Sequence, residues 1–166
     1  MGSVLRSVVF ALALAGGGLV SQLPEFAQQY RQRLGGALGE IQRIVQDFDK
    51  DAERSNLSRE DALRLYGRSA EPFIRDRGLS MSAVLERHEN LKGQVEALDR
   101  AGALYAPVVV LSAPDDELVD DTWGAFAPAL PLGFAGLFYA LCGFVAVGGI
   151  AGAISSLVGR RRRAAV

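Results

Sequence analysis

Two long runs of apolar residues lie near the two ends of the chain, and each is predicted to cross a membrane as a helix. The second run, residues 130–158, has 29 residues and no charge, whereas a helix needs roughly 20 residues to cross a ~30 Å hydrocarbon core. The first run, residues 7–23, has 17 residues and contains three consecutive glycines, Gly16 to Gly18. Glycine weakens a helix in water but is common in membrane helices, where it allows close packing.

The first run also has features of a cleaved signal peptide. Arg6 precedes the apolar residues, and the sequence "ALA" at Ala13 to Ala15 has the form of a cleavage site. Cleavage there would leave an apolar core shorter than is typical. We therefore favour an uncleaved membrane anchor.

The polar region between the two runs carries two heptad patterns of apolar residues. In the first, apolar positions from Leu34 recur in steps of four and three on a helix expected from Pro24 to about Arg54. In the second, the same steps recur on a helix of about 21 residues that starts at Ser80. The predicted seam positions are Leu34, Leu38, Ile41, Val45 and Phe48, followed by Val84, His88, Leu91, Val95 and Leu98. Two seams of similar length predict an antiparallel, coiled-coil-like helical hairpin that returns the chain to the membrane.

Local signals predict short elements at the tip of this hairpin. Ser58 is expected to cap a short helix, Asp61 occupies the third position of a capping box, and Gly67 is expected to end the helix. Pro72 and Gly78 are expected to bracket another short turn.

The segment "ALYAPVVVLSAP" follows the second seam. Val108 to Leu111 have strand-forming side chains, but no partner strand is evident in the sequence. We interpret the segment as an apolar connector that packs on the hairpin or dips into the membrane interface. Pro114 is then expected to open a short amphipathic helix just above the second span.

The charges are distributed in blocks, and this distribution predicts the topology. All 19 acidic residues lie between Glu25 and Asp121 together with 13 of the 18 Lys and Arg, which gives this stretch a net charge of −6. The other cations are Arg6 and the cluster of Arg160, Arg161, Arg162 and Arg163. Because cytoplasmic flanks of spans are enriched in Lys and Arg, both termini are expected in the cytoplasm and the acidic middle outside it. The same rule explains the arginine cluster without a nucleic-acid partner, and the cluster also attracts anionic lipid headgroups by about 1 kcal/mol per arginine.

These patterns together predict an all-α membrane protein in which two transmembrane helices flank an extracytoplasmic antiparallel hairpin. The predicted segments are residues 1–23 and 129–159 as spans, 24–128 as hairpin and connector, and 160–166 as a basic cytoplasmic tail. Tyr105, Trp123 and Phe126 are expected near the outer membrane boundary, where amphipathic aromatic residues gather.

Three stretches, "PEFAQQYRQRLGGAL", "VQDFD" and "LSREDAL", make the sequence similar to a known family. It resembles a proteobacterial family of small uncharacterised membrane proteins, catalogued as a domain of unknown function, and the resemblance covers most of the chain. It implies a bacterial inner-membrane protein with two spans. It implies no activity and no catalytic residues.

Few residues are candidates for chemistry. The single histidine, His88, cannot build a His-rich metal site by itself, although an imidazole on the seam is also compatible with a pH-sensing role. The single cysteine, Cys142, cannot form an intramolecular disulfide and is expected to be a small buried residue. The acidic cluster lacks the turn glycine of a calcium loop and is interpreted as a helix N-terminus; it contains Asp115, Asp116, Glu117, Asp120 and Asp121. Without a nucleophile motif, a phosphate loop or a zinc motif, we expect no enzyme, no cofactor and no metal.

Pairs of small residues four positions apart remain as candidate packing sites. The second span contains Gly136 with Ala140, Gly148 with Gly152, and Gly149 with Ala153; the first contains Ala11 with Ala15, and Ala13 with Gly17. Such pairs let helix backbones approach closely in lipid. They are explained either by packing of the two spans on each other or by contact with other subunits.

The sequence therefore favours a non-enzymatic inner-membrane scaffold or accessory subunit, either a homo-oligomer or part of a larger membrane complex. Membrane lipid is its other expected partner, and nucleic acid is not expected. The alternative is a periplasmic helical-bundle sensor that responds to a ligand or to pH. A cytoplasmic tail of about seven residues, too short for an output domain, disfavours this alternative.

Overall fold

The computed structural model describes the backbone of residues 3–164 and the side chains of residues 3–156. The described residues form six helices and no strand, which confirms the predicted all-α class. The helices are α1 (Ser3–Val20), α2 (Leu23–Arg54), α3 (Arg59–Gly67), α4 (Pro72–Ser112), α5 (Asp116–Gly124) and α6 (Phe134–Ala164).

Two apolar helices in the described part of the chain are long enough to cross a membrane, judged by length and composition. One is the part of α6 from Phe134 to Ser156, which has 23 residues and a mean hydropathy of 2.1. The other lies in the helical run Ser3–Arg54 near the N-terminus, with a mean hydropathy of 1.8 over its most apolar window, and corresponds to α1. α6 starts at Phe134, four residues after the start of the predicted apolar run at residue 130.

The helices form two compact units. The first contains the described residues up to Tyr30 and from Ala101 onward, so it holds α1, the first turns of α2, the end of α4, α5 and α6. The second contains Arg31–Arg100, with the rest of α2, α3 and most of α4.

The core of the second unit is built from apolar residues of all three of its helices. Leu34 on α2 and Leu91 on α4 are completely buried. An ion pair between Arg31 and Asp99 joins the two helices at the surface of the unit. The buried apolar residues of this unit are Leu34, Val45, Ala52, Ala62, Met81, Leu91 and Leu98.

A cap and an ion pair fix α3 in place. The Ser58 hydroxyl accepts a hydrogen bond from the Asp61 N–H at 3.1 Å and donates one to the Asp61 carboxylate at 2.8 Å, which confirms the predicted cap. Gly67 is the last residue of α3, as expected. Arg59 donates two hydrogen bonds, of 2.8 and 2.7 Å, to the Asp49 carboxylate on α2. These hydrogen bonds lower the pKa of Asp49, so its carboxylate stays charged at neutral pH.

The predicted turn between Pro72 and Gly78 is wrong, because α4 begins at Pro72 and continues through Gly78. Proline suits a first helical turn, where its missing N–H would have no partner. At Gly78 the absent side chain makes room for α3, since a Cβ placed there would lie 2.7 Å from the Cβ of Tyr66. The helix is 41 residues long, about twice the length that the heptad pattern predicts.

Gly102 interrupts α4 with a left-handed backbone, at φ 62° and ψ 178°. Glycine adopts this conformation without a steric penalty. Beyond it, the segment expected to be an irregular connector is helical to Ser112, and this includes Val108 to Leu111. The β-branched side chains of this segment therefore lie in a helix, and the described residues contain no strand with which they could pair.

The predicted short helix after Pro114 is present as α5, but Asp115 rather than Pro114 opens it. The Asp115 carboxylate accepts a hydrogen bond from the Leu118 N–H at 3.1 Å, and Asp116 and Glu117 occupy the first turn. These three members of the acidic cluster therefore lie at the helix N-terminus, where negative charge is favoured.

Candidate helix-packing and assembly site

The two candidate spans pack against each other through glycine backbones. On α1, Ala13, Gly16 and Gly17 are buried. A Cβ placed on Gly143 of α6 would lie 2.7 Å from the Gly16 carbonyl oxygen, and one placed on Gly17 would lie 2.8 Å from the Ala140 carbonyl oxygen. Because side-chain carbons do not approach backbone atoms this closely, the contact requires glycine at these positions.

Some of the small residues predicted for helix packing contribute to this intrachain contact. The Ala140 carbonyl lies against Gly17, and a Cβ placed on Gly148 would lie 3.0 Å from the Cβ of Ala13. Gly136 instead lies against Pro131, just before α6, where a Cβ would be 2.7 Å from the Pro131 Cβ.

The remaining predicted packing residues have open space beside them among the described residues. A Cβ placed on Gly149 or Gly152 would meet no described atom outside its own helix backbone within 4 Å, and Ala153 is exposed. On α1, Ala11 and Ala15 are exposed as well. Among the described residues, the small residues of the two candidate spans thus divide into a set that joins the two helices and a set that no other described residue covers.

Sequence reasoning missed two parts of this interface. The first is Gly143, although the spacing of residues 136, 140, 143 and 147 continues the same steps of four and three as the hairpin seams. The second is the edge-to-face contact of Phe10 with Phe144, whose ring centroids are 5.8 Å apart. Phe144 also lies 3.3 Å from the position of a Cβ on Gly17, so it belongs to the α1–α6 contact.

Two glutamines, Gln22 just before α2 and Gln29 within it, bind the extended segment that precedes α6. The Gln29 amide donates to the Ala127 carbonyl at 2.9 Å and accepts from the Ala127 N–H at 3.3 Å. The Gln22 amide makes the same pair of hydrogen bonds with Ala129, at 3.2 and 3.1 Å. Each glutamine side chain therefore donates and accepts as a peptide group would in a β-ladder, and together they fix residues 127–129 against the start of α2 and the residue before it.

An aromatic cluster lies beside these glutamines. Phe26 packs against Trp123 and Phe126, with ring centroids 6.1 and 5.8 Å apart. Tyr30 follows one turn later, and its hydroxyl accepts a hydrogen bond from the Asp115 N–H at 3.0 Å. Burial is the largest contribution to the raised pKa of Tyr30, so the phenol stays neutral and keeps its proton.

We expect Gln29→Glu to loosen the segment before α6. A carboxylate cannot donate to the Ala127 carbonyl, and it would place a negative charge beside Glu25, whose carboxylate now accepts a 2.8 Å hydrogen bond from Gln29. The expected loss of local stability is about 1–2 kcal/mol, which corresponds to roughly five- to thirtyfold faster exchange of the Ala127 and Ala129 amides. Exchange measured by mass spectrometry on the full chain tests this. Gln28→Glu, at the exposed neighbouring position, is the control, and equal exchange in both variants would contradict the predicted role of Gln29.

The structure provides no metal site at the other candidate residues. Within residues 3–156 no group of three His, Cys, Asp or Glu side chains is arranged to hold a metal ion. His88 is 14% exposed on α4, with its Nδ1 3.1 Å from a Glu89 carboxylate oxygen. The expectation of a buried Cys142 is wrong: the thiol is exposed, because α1 covers a different face of α6.

The basic residues predicted to set the topology are only partly described. Arg6 is exposed in the first turns of α1. The backbone of α6 remains helical past residue 160, but the side chains of Arg160 to Arg163 lie outside the described residues.

Comparison with known proteins gives one match. The model of the family described as "Protein of unknown function (DUF2937)" matches residues 1–164. No curated protein and no solved structure matches the chain. Since the match covers almost the whole chain, the protein belongs to the DUF2937 family, whose function is unknown.

Proposed function

We propose that this protein is a non-enzymatic inner-membrane scaffold or accessory subunit that self-assembles or attaches to a larger membrane complex. In this proposal α1 and α6 cross the membrane side by side. Residues 24–128 lie outside the cytoplasm, with the second unit as an antiparallel, coiled-coil-like hairpin. The basic flanks at Arg6 and Arg160 to Arg163 keep both termini in the cytoplasm.

The glycine contact between α1 and α6 supports a retained N-terminal anchor over a cleaved signal peptide. Cleavage after Ala15 would remove Ala13, which is 2% exposed and lies beside Gly148. It would also remove Phe10, the aromatic partner of Phe144. A sequence that is discarded after export has no need of such a fitted contact.

The order of contacts along α2 and α4 supports the antiparallel hairpin. Arg31, near the start of α2 in this unit, pairs with Asp99 near the end of α4 in this unit. Further along α2, Phe48 lines an open groove of about 240 Å³ together with Met81, which lies early in α4. As the chain advances along α2, the residues it meets on α4 lie progressively nearer the start of α4. This is the order of contacts expected of an antiparallel pair.

The observation that carries assembly is the uncovered small-residue surface of α6. Gly149 and Gly152 have open space on the side where a Cβ would stand, and only 6% of the most apolar window of this span is buried. Helices associate in lipid through close van der Waals contact at such positions. Gly143 and Gly148 pack against α1 of the same chain. Gly149 and Gly152 are therefore available for contact with another subunit.

Gly149→Leu and Gly152→Leu are therefore expected to lower the mass of the native complex without reducing membrane insertion. Leucine favours insertion more than glycine does, whereas its side chain would hold a facing helix away. The mass of the complex in a gentle detergent, measured after crosslinking, provides the test.

Gly133→Leu is the matched control. Gly133 directly precedes α6, and a Cβ placed there also meets no described atom beyond its chain neighbours within 4 Å. It lies outside the predicted small-residue pairs. If the Gly149 and Gly152 variants keep the wild-type mass, or if the wild type is itself a monomer without a partner, assembly through this surface is refuted.

A further inference from the structure

We propose that the last ten residues of α4, Ala103–Ser112, form an interfacial helix whose exposed face contacts lipid acyl chains at the outer end of α6. This proposal adds a third membrane-contacting element to the two spans. It rests on the proposed function in one respect, namely that α6 crosses the membrane.

The composition of this segment is that of a membrane-contacting helix. No charged residue occurs between Arg100 and Asp115. Ten helical residues extend roughly 15 Å, which is half of the ~30 Å hydrocarbon core. The segment is therefore too short to cross a bilayer but long enough to lie along its surface.

One side of the segment is packed and the other is uncovered. Pro107 is buried and Val110 is 4% exposed. Tyr105, Val108 and Leu111, spaced three residues apart, are 63%, 56% and 70% exposed. Three large apolar side chains on one helical face would be unfavourable in water, because each leaves apolar area in contact with solvent.

A hydrogen bond places this face at the outer end of the span. The Tyr139 hydroxyl donates to the Leu104 carbonyl at 3.0 Å. Tyr139 is the sixth residue of α6, about 7.5 Å along the helix from Phe134. The segment is therefore attached to the first turns of the span, within the 5–10 Å depth to which interfacial helices bury their apolar faces.

Lipid, rather than a second protein, is the occupant that the surroundings favour. Leu137 and Phe138, the residues of α6 beside Tyr139, are themselves 59% and 44% exposed, so the span to which the segment is bonded presents apolar side chains to the same surroundings. The nearest charged residues flank the segment on both sides, Arg100 before it and Asp115 after it. Charged ends with an apolar middle fit a helix that enters the acyl boundary and leaves it again.

Tryptophan quenching by brominated lipids tests the placement of this face. Trp123 is the only tryptophan, so Trp123→Phe provides a background in which a single new tryptophan reports its own surroundings. In this background Tyr105→Trp and Val108→Trp are compared with Leu141→Trp on α6 and Leu65→Trp on α3, which are 62% and 61% exposed. The full-length proteins are reconstituted in phosphatidylcholine brominated either near the headgroup or near the chain end.

At positions 105 and 108 we expect strong loss of fluorescence with the shallow label and a smaller loss with the deep label. Position 141 should lose more with the deep label, and position 65 should be unaffected by both. If positions 105 and 108 behave like position 65 while position 141 is quenched, the interfacial helix is refuted and the span stands. Shielding of positions 105 and 108 from both lipid labels and from aqueous iodide would show that protein covers this face, which also refutes lipid contact. Absence of quenching at position 141 would instead refute the span, and the interfacial helix with it.

Discussion

Replacing Gly143 with leucine is expected to separate α1 from α6, the largest single effect that the structure predicts for the two candidate spans. The new Cβ would lie 2.7 Å from the Gly16 carbonyl oxygen and 2.7 Å from the Val20 Cβ. A backbone carbonyl cannot turn aside as a flexible side chain can. The cost should therefore reach or exceed the upper end of the roughly 1–3 kcal/mol typical of an overpacked core.

A disulfide between Ala13→Cys and Gly148→Cys measures this separation directly. The two Cβ atoms would be 3.0 Å apart, and a small shift brings them into the ~3.5–4.5 Å range of a disulfide. Cys142→Ser removes the exposed native thiol. We expect efficient crosslinking within one chain in this background and a large loss of crosslink when Gly143→Leu is added.

Gly149→Leu is the control for this experiment, because its side chain would enter open space. It should leave the intrachain crosslink unchanged even if it weakens assembly between chains. Undiminished crosslinking in the Gly143→Leu protein would show that α1 and α6 do not depend on the glycine contact.

Replacing Leu91 with aspartate is expected to unfold the second unit. Leu91 is completely buried, and burying an unpaired carboxylate costs several kcal/mol, which is comparable with the whole 5–15 kcal/mol stability of a typical domain. Ile41→Asp, at a seam position that is only partly buried, should have a smaller effect. Limited trypsin digestion of the full-length protein reports the unfolding, because this unit carries most of the Lys and Arg of the chain.

Leu79→Asp is the matched control, since Leu79 lies on the same helix and is 71% exposed. It should be digested at the wild-type rate. If Leu91→Asp is also digested at the wild-type rate, the buried seam does not hold this unit together.

The sequence predicted those features whose cause is local. The length and composition of the two apolar runs predicted the two span-length helices. The cap of α3 followed from a signal a few residues long, with Ser58 bonded to Asp61 as the capping-box pattern requires, and the end of α2 near Arg54 followed from the extent of the heptad pattern. Of the ten predicted seam positions, Leu34, Val45, Leu91 and Leu98 are buried and the other six are partly buried.

Features that depend on a neighbour distant in the sequence were decided by the tertiary structure. Gly78 suggests a turn when the sequence is taken alone, but it lies inside α4, and its missing side chain leaves room for Tyr66 of α3. Gln22 and Gln29 look like ordinary polar positions, and only the folded chain brings Ala129 and Ala127 within reach of their amides.

The same distinction applies to the small residues of the spans. The sequence determined that α6 carries many small positions, since spacing alone identifies pairs four residues apart. It did not determine which of them α1 would cover, because that depends on how the two helices are rotated and shifted against each other. The structure places Gly143 and Gly148 against α1 and leaves Gly149 and Gly152 open. The physical reason is that two packed helices touch along only one face of each. The fit between their surface ridges and grooves decides which residues lie on that face.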